Sequence, residues 1–330
     1  MLTNTAKGRV FFCVILCLFA FSCFFITALY ADASDKVTVG KITPDPSRLW
    51  SPGRLAVDNE GLIYVVDSYK NRVQAFDSSG NYYAAIEITR PSAVSVAPDG
   101  TVYIGSHLDY AVAVYKHDGQ TGYLGNGKNE FSSVRDIAVD RGTGDVYVVD
   151  NIGNAVRVYY ASGIPKGVLS GFNLPIGIAI TDDAVYVLDA PVIKSANRQG
   201  TGSRISVFGK NGNFVRSIDE YGSAGDQMTR PTGIAVDSLG NIFVADASRK
   251  SVLVYNGAGT FVGEITSPSN DINTAVSLVL SPDNRLYVSS SETRSIIEIG
   301  LAGMVSSGLK GSLDFKSKTG DRLTPAALGY

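Results

Sequence analysis

"PTGIAVDSLGNIFVADASRKSVLVYNGAGTFVGEIT", Pro231 to Thr266, decides the fold. Apolar and small residues alternate in "GIAV", "IFVAD" and "VLVY" with the two-residue period of strands buried on one or both faces. "DSLGN", "SRK" and "NGAG" fill the breaks with turn formers. The phrase recurs as "PGRLAVDNEGLIYVVDSYKNRVQAFDSSGNYYAAIEI", Pro52 to Ile88, and overlaying six copies aligns Tyr64, Tyr103, Tyr147, Tyr186, Phe243 and Tyr287. Their spacings are 39, 44, 39, 57 and 44 residues.

Repeats of about 40 residues with four short strands each specify a propeller, small twisted sheets stacked face to face around a channel. The expected fold is all-β, a six-bladed β-propeller over residues 34–301, with blades starting near residues 51, 90, 132, 173, 229 and 273. The aligned aromatic ring is expected to fill the space between neighbouring sheets. The last copy has three clear strands, "SLVLS", "RLYVSS" and "SIIEIG", and needs a fourth, because an unpaired edge exposes backbone groups. "VTVGKIT", Val37 to Thr43, repeats the end of an earlier copy, "FVGEIT", so an N-terminal strand at 36–43 is expected to close the ring. The rival is "GMVSSGL", Gly303 to Leu309, a poorer strand former.

"RPTGIAVDSLGNIFVADASRKSVLVY" and "SPGRLAVDNEGLIYVVDSYKNRVQAF" resemble NHL repeats, as does the lead-in "YGSAGDQMTRP", Tyr221 to Pro231. The resemblance covers roughly Val37 to Leu301 and implies a six-bladed propeller. It is less specific for function, since it implies a ligand sensor, a protein-binding scaffold, an RNA binder or, in a few cases, an enzyme. Related propellers include metal-dependent amidating lyases and calcium-dependent lactonases.

Neither metal fits the residue pattern. A zinc centre needs several imidazole, thiolate or carboxylate ligands, but the only histidines, His107 and His117, fall in loops expected on opposite faces. Calcium takes about six to eight oxygens, whereas the position just before each inner strand reads Arg54, Ala93, Asp136, Gly177, Gly233 and Ser277, with one carboxylate. No Ser/His/Asp arrangement stands out. No cofactor or metal is expected.

Residues 1–33 stand apart. Lys7 and Arg9 precede the apolar run Val10 to Ala31, and "ADA", Ala31 to Ala33, offers small residues for signal peptidase. The run reads as an export signal cleaved after Ala33. It is also long enough to remain as a membrane anchor, which takes roughly 20 apolar residues. Either way the body is expected outside the cytoplasmic membrane, periplasmic or extracellular, in a bacterial envelope. Cys13, Cys17 and Cys23 all lie in that segment, leaving the body without a thiol. Without residues 1–33 the chain has 27 basic and 30 acidic residues, a balance that argues against nucleic acid as a partner. A monomer is expected.

In a propeller the connectors between blades and the loops between second and third strands share one face, here called the top. The connectors bring Trp50, Arg54, Arg90, Arg135, Asp136 and Arg230 there, and the loops bring Ser68, Tyr69, Lys70, His107, Asn151 and Arg249. Four arginines could grip a carboxylate ligand or an acidic partner surface through their planar forks. They could equally pair with Asp67, Asp150, Asp189 and Asp246, which end second strands. Those aspartates are themselves suited to accept turn N–H groups, with Ser106 and Ser290 as weaker substitutes. Trp50, the only tryptophan, and Tyr69 suit either a binding anchor or packing beneath the first connector. "APVIKSANRQGTGS", Ala190 to Ser203, lengthens one top loop, and the tail 302–330 ends in apolar "PAALGY".

The expectation from sequence is a non-catalytic binding or scaffolding module, taking a protein segment or small anion on its top face through Trp50, Arg54, Tyr69, Arg90, Arg135, Asp136 and Arg230. The alternative is a lyase or lactonase acting at the channel mouth.

Overall fold

Each copy of the repeat forms one antiparallel sheet, and six such sheets make an all-β, six-bladed propeller. The computed structural model describes residues 38–39, 49–116, 119–190, 202–218, 228–266, 272 and 274–301. Blades one to five span 52–87, 91–123, 134–169, 175–218 and 231–265, each in strand order from the channel outward. Blade six comprises Ala275–Leu280, Arg285–Ser290 and Ser295–Gly300, with Thr38–Val39 beside the last of these. Thr38 lies opposite Ile297 and Val39 opposite Ile296. The remainder of 36–43 and the rival 303–309 lie outside the described residues, as do the leading segment 1–33, His117, residues 191–201, 221–227 and the tail. Among the described residues no helix is long and apolar enough to cross a membrane.

The aromatic spokes sit between blades as the alternation requires. Phe243 of blade five packs with Ala275, Leu278 and Val288 of blade six, and Tyr147 of blade three packs with Ile178 and Val187 of blade four. Tyr287 of blade six joins Leu55, Ile63 and Val65 of blade one, so the sixth sheet shares a core with the first. Burial pushes the Tyr64, Tyr103, Tyr147 and Tyr287 phenols up, because a phenolate loses its solvation there.

Two devices set the top face. First, the second-strand aspartates accept connector N–H groups: Trp50 and Ser51 donate to Asp67, Ser132 and Ser133 to Asp150, Asn173 to Asp189, and Thr229 and Arg230 to Asp246. These carboxylates are buried, and the turn bonds replace the water they lose. Ser106 partly substitutes, taking the Asp109 N–H at 3.2 Å and donating to Thr89 O. Second, small polar side chains staple one blade to the next. Ser68 Oγ donates to Pro91 O, Asn151 Nδ2 to Pro175 O at 2.7 Å, Thr232 Oγ1 to Ala275 O at 2.9 Å, and Ser289 Oγ to Gly53 O at 2.7 Å.

Candidate functional site

Every inner strand carries a register shift between its top residue and the one two or three positions on, as in Val134/Asp136, Pro175/Gly177 and Pro231/Gly233. An extra residue in one strand of a pair leaves its backbone groups outside the ladder and bends the strand. Those released carbonyls need donors. In three blades one side chain supplies them all. Arg54 Nε donates to Arg135 O at 3.2 Å, Nη1 to Thr232 O at 3.0 Å, and Nη2 to Ile176 O. From blade one, this guanidinium therefore ties blades three, four and five across the channel.

Asp136 balances the charge. Its Oδ1 lies 3.6 Å from Arg54 Nε and accepts the Ile137 N–H at 3.0 Å, while Oδ2 accepts the Ile178 N–H at 3.2 Å. Burial pushes the Asp136 carboxyl up, opposing the downward pull of Arg54 and the two N–H groups. The facing residues are small, and they need to be. A Cβ on Gly233 would stand 3.3 Å from Arg54 Nη1, and one on Gly177 would stand 3.6 Å from Asp136 Oδ2 and 3.2 Å from Ile234.

Above this plug the charge is unbalanced. Arg135 is half-buried, and no carboxylate pairs with its guanidinium among the described residues. Repulsion from Arg54 and, second, burial push it down to about 10, against the pull of Asp136. His107 is pushed below its ordinary 6.5 by burial, then by Arg135 and Arg90. The His107 N–H donates to Arg90 O at 3.1 Å, so the loop of blade two and its connector form one cationic lip. The Arg90 N–H in turn donates to Asn71 Oδ1 at 2.9 Å, joining that lip to the loop of blade one.

Trp50 and Tyr69 meet at the seam between blades six and one. Their rings stack at 5.5 Å with an interplanar angle of 24°, Arg294 lies 4.1 Å over the Trp50 ring, and Lys70 Nζ lies 5.7 Å from it. Arg294 was not singled out from the sequence. It holds the left-handed loop position shared by Asn71, Tyr110, Asn154 and Lys250, and this correspondence among the repeats is the signal that finds it.

The expected top-face set is thus divided. Arg54, Arg135 and Asp136 come together, Arg90 and His107 lie within electrostatic reach, and Trp50 with Tyr69 form a separate shelf. Arg54 is corrected from an open-face ligand grip to a channel plug, because its donors are committed to carbonyls and it is only 4% exposed. Arg230 stands exposed on the connector into blade five, bonded to Asp246 through its backbone only. None of the four connector arginines pairs with a second-strand aspartate. Arg157 and Arg204, from third strands, take Asp150 and Asp189 instead.

These residues do not fit a channel metal. The converging oxygens of Arg135, Ile176, Thr232 and Asp136 already surround a cation, the Arg54 guanidinium, and only one of them is a carboxylate oxygen. Among the described residues no group of three or more His, Cys, Asp or Glu could hold a metal ion.

Fold and site together define a six-bladed propeller with an arginine-plugged channel and a cationic top face. The SMP-30/Gluconolactonase/LRE-like region matches residues 50–292, and the chain belongs to that family, a propeller family related to NHL repeats. It is 24% identical over 245 residues to the E3 ubiquitin-protein ligase TRIM32 of Homo sapiens, a match covering 72% of this chain but 31% of the ligase. The chain thus spans about a third of that relative's length. Among solved structures, a gluconolactonase from Xanthomonas campestris aligns with a TM-score of 0.62 at 17% identity, covering 82% of this chain and 91% of its own. Virginiamycin B lyase from Staphylococcus aureus aligns at 0.55 with 13% identity, covering 77% and 85%. At these identities the structural likeness carries the fold alone.

Proposed function

We propose that this propeller is a non-catalytic binding module that captures a small carboxylate, or an acidic segment of a partner protein, on its top face. The observation that supports this is Arg135, a half-buried guanidinium held beside a second one, with no carboxylate in salt-bridge contact among the described residues and only the longer-range pull of Asp136. A bound carboxylate would relieve the repulsion and accept the planar fork of donors. Arg90 and Arg230 extend the cationic surface, and His107 joins it when protonated. Asp136 and Arg54 keep the channel beneath it shut and rigid. Export of the body, with the N-terminal strand completing blade six, is part of the same reading and rests on the sequence.

Calorimetric titration with citrate tests it. Arg135→Ala is expected to weaken citrate binding about tenfold or more, within the range for a hydrogen bond to a charged group, about 1.5–3 kcal/mol. Arg157→Ala, whose side chain serves Asp150, is expected to change it little. Equal citrate affinity in wild type and Arg135→Ala overturns the site.

Proton linkage supplies a second expected outcome. In the free protein burial and then the two arginines hold His107 below 6.5, and an anion between the arginines would remove their share and raise it. Binding then takes up a proton, so affinity should strengthen as pH falls from about 7 toward 6, the range in which histidine titrates. His107→Ala should flatten that dependence. A flat wild-type profile would remove His107 from the binding group.

Family membership favours a second reading, a lactonase acting at the channel mouth. Purified protein incubated with gluconolactone, with and without added calcium, separates the two. Turnover above the spontaneous rate would replace the non-catalytic reading.

A further inference from the structure

The Trp50–Tyr69 shelf points to the chemistry of the ligand, and the inference rests on the anion-binding reading above. Tyr69 is 68% exposed, and unlike the other exposed rings of the chain it is backed by a stacked tryptophan. Its position is nevertheless fixed. It lies in the 3-10 turn Ser68–Lys70, which is pinned at one end by Ser68 Oγ donating to Pro91 O. At the other end the turn closes on left-handed Asn71, whose Oδ1 accepts the Arg90 N–H. Trp50 backs the Tyr69 ring at 5.5 Å; the Trp50 backbone N–H is held by Asp67, and Arg294 lies over the ring. A rigid, solvent-facing aromatic surface backed by a second ring is a stacking platform whose entropy cost of ordering has already been met.

The surroundings set the charge of what stacks there. Lys70 and Arg294 flank the shelf, and the Asn71–Arg90 bond joins its loop to the lip that carries Arg90, His107 and Arg135. We infer that the top face takes an aryl carboxylate, a planar aromatic ring seated on Tyr69 with its negative charge directed toward the cationic lip.

Because Trp50 is the only tryptophan, its fluorescence reports the shelf directly. Benzoate and cyclohexanecarboxylate match in charge and size but differ in the π face. Benzoate should change Trp50 emission and bind about fivefold tighter than cyclohexanecarboxylate, the scale of one stacking contact. Tyr69→Ala should erase that preference, bringing benzoate affinity down to that of cyclohexanecarboxylate. Tyr69→Phe should keep it. Equal binding of the two probes to wild type, or a preference that survives Tyr69→Ala, overturns the aryl assignment. If both probes fail while citrate still binds through Arg135, the aryl assignment falls and the anion site stands. If citrate fails as well, the anion site falls with it.

Discussion

Arg54→Ala is expected to cost about 3–5 kcal/mol of folding stability, the scale for removing one partner of a buried charge pair. The substitution deletes the donors that satisfy Arg135 O, Ile176 O and Thr232 O and the cation opposite Asp136. Unmet carbonyls and an uncompensated, buried carboxylate are then left in the channel. Urea unfolding should show a lower midpoint with an unchanged slope. Two further measurements separate this role from simple loss of volume. Arg54→Lys should recover only part of the loss, because an ammonium replaces the charge but cannot reproduce a planar fork aimed at three carbonyls. Adding Asp136→Ala to Arg54→Ala should cost less than the two single losses combined, since the second change removes a charge already stranded by the first. Wild-type-like stability of Arg54→Ala would show that the axial bonds contribute nothing net. Guanidinium ion at millimolar concentration, far below denaturing levels, should restore part of the variant's midpoint and leave the wild type unchanged.

The contrast between Arg54 and the other arginines shows where sequence reasoning ran out. The six repeats, the spokes, and the aspartates that accept turn N–H groups were legible, because each follows from a local rule: period-two alternation, a recurring aromatic, a strand-end carboxylate before a turn. Blade starts fell within about two residues of those observed, as at 132 against Val134 and 173 against Pro175. The inward course of Arg54 was not legible. Read as a connector residue, it stands with Arg90 and Arg230, but the strand bulge changes the phase of the alternation and sends its side chain down the axis. The compensating pattern was present all the same. Ala93, Gly177, Gly233 and Ser277 at the matching positions are small, which is what a single large plug bonded across the channel demands. The shelf was half legible. Trp50 and Tyr69 were visible as candidates, but Arg294 reaches Trp50 across the seam where the last repeat meets the first, a contact with no local signature.

That seam and its five counterparts hold the buried spokes between blades, which makes the spokes the other place for a large effect. Phe243 is 1% exposed and packs among Ala235, Ala275, Leu278 and Val288, with apolar atoms of two sheets around its ring. Phe243→Ala is expected to cost about 3–5 kcal/mol, the lost transfer energy of the ring plus the cavity left between blades that cannot collapse without parting their ladders. Phe214, in the outer strand of blade four, is the control. It is 58% exposed, and Phe214→Ala should stay within about 0.5 kcal/mol of wild type. Phe243→Leu, which keeps much of the volume, should fall between the two. The comparison also distinguishes two sources of rigidity. If blades are held chiefly by the polar staples at their tops, Phe243→Ala will unfold near the wild-type midpoint, since Thr232 Oγ1 still bonds Ala275 O across that interface. If the shared apolar seam dominates, as the burial of the ring and its neighbours predicts, the midpoint drops while the staple remains intact. A loss below about 1 kcal/mol would transfer the role of inter-blade cement from the spokes to the staples.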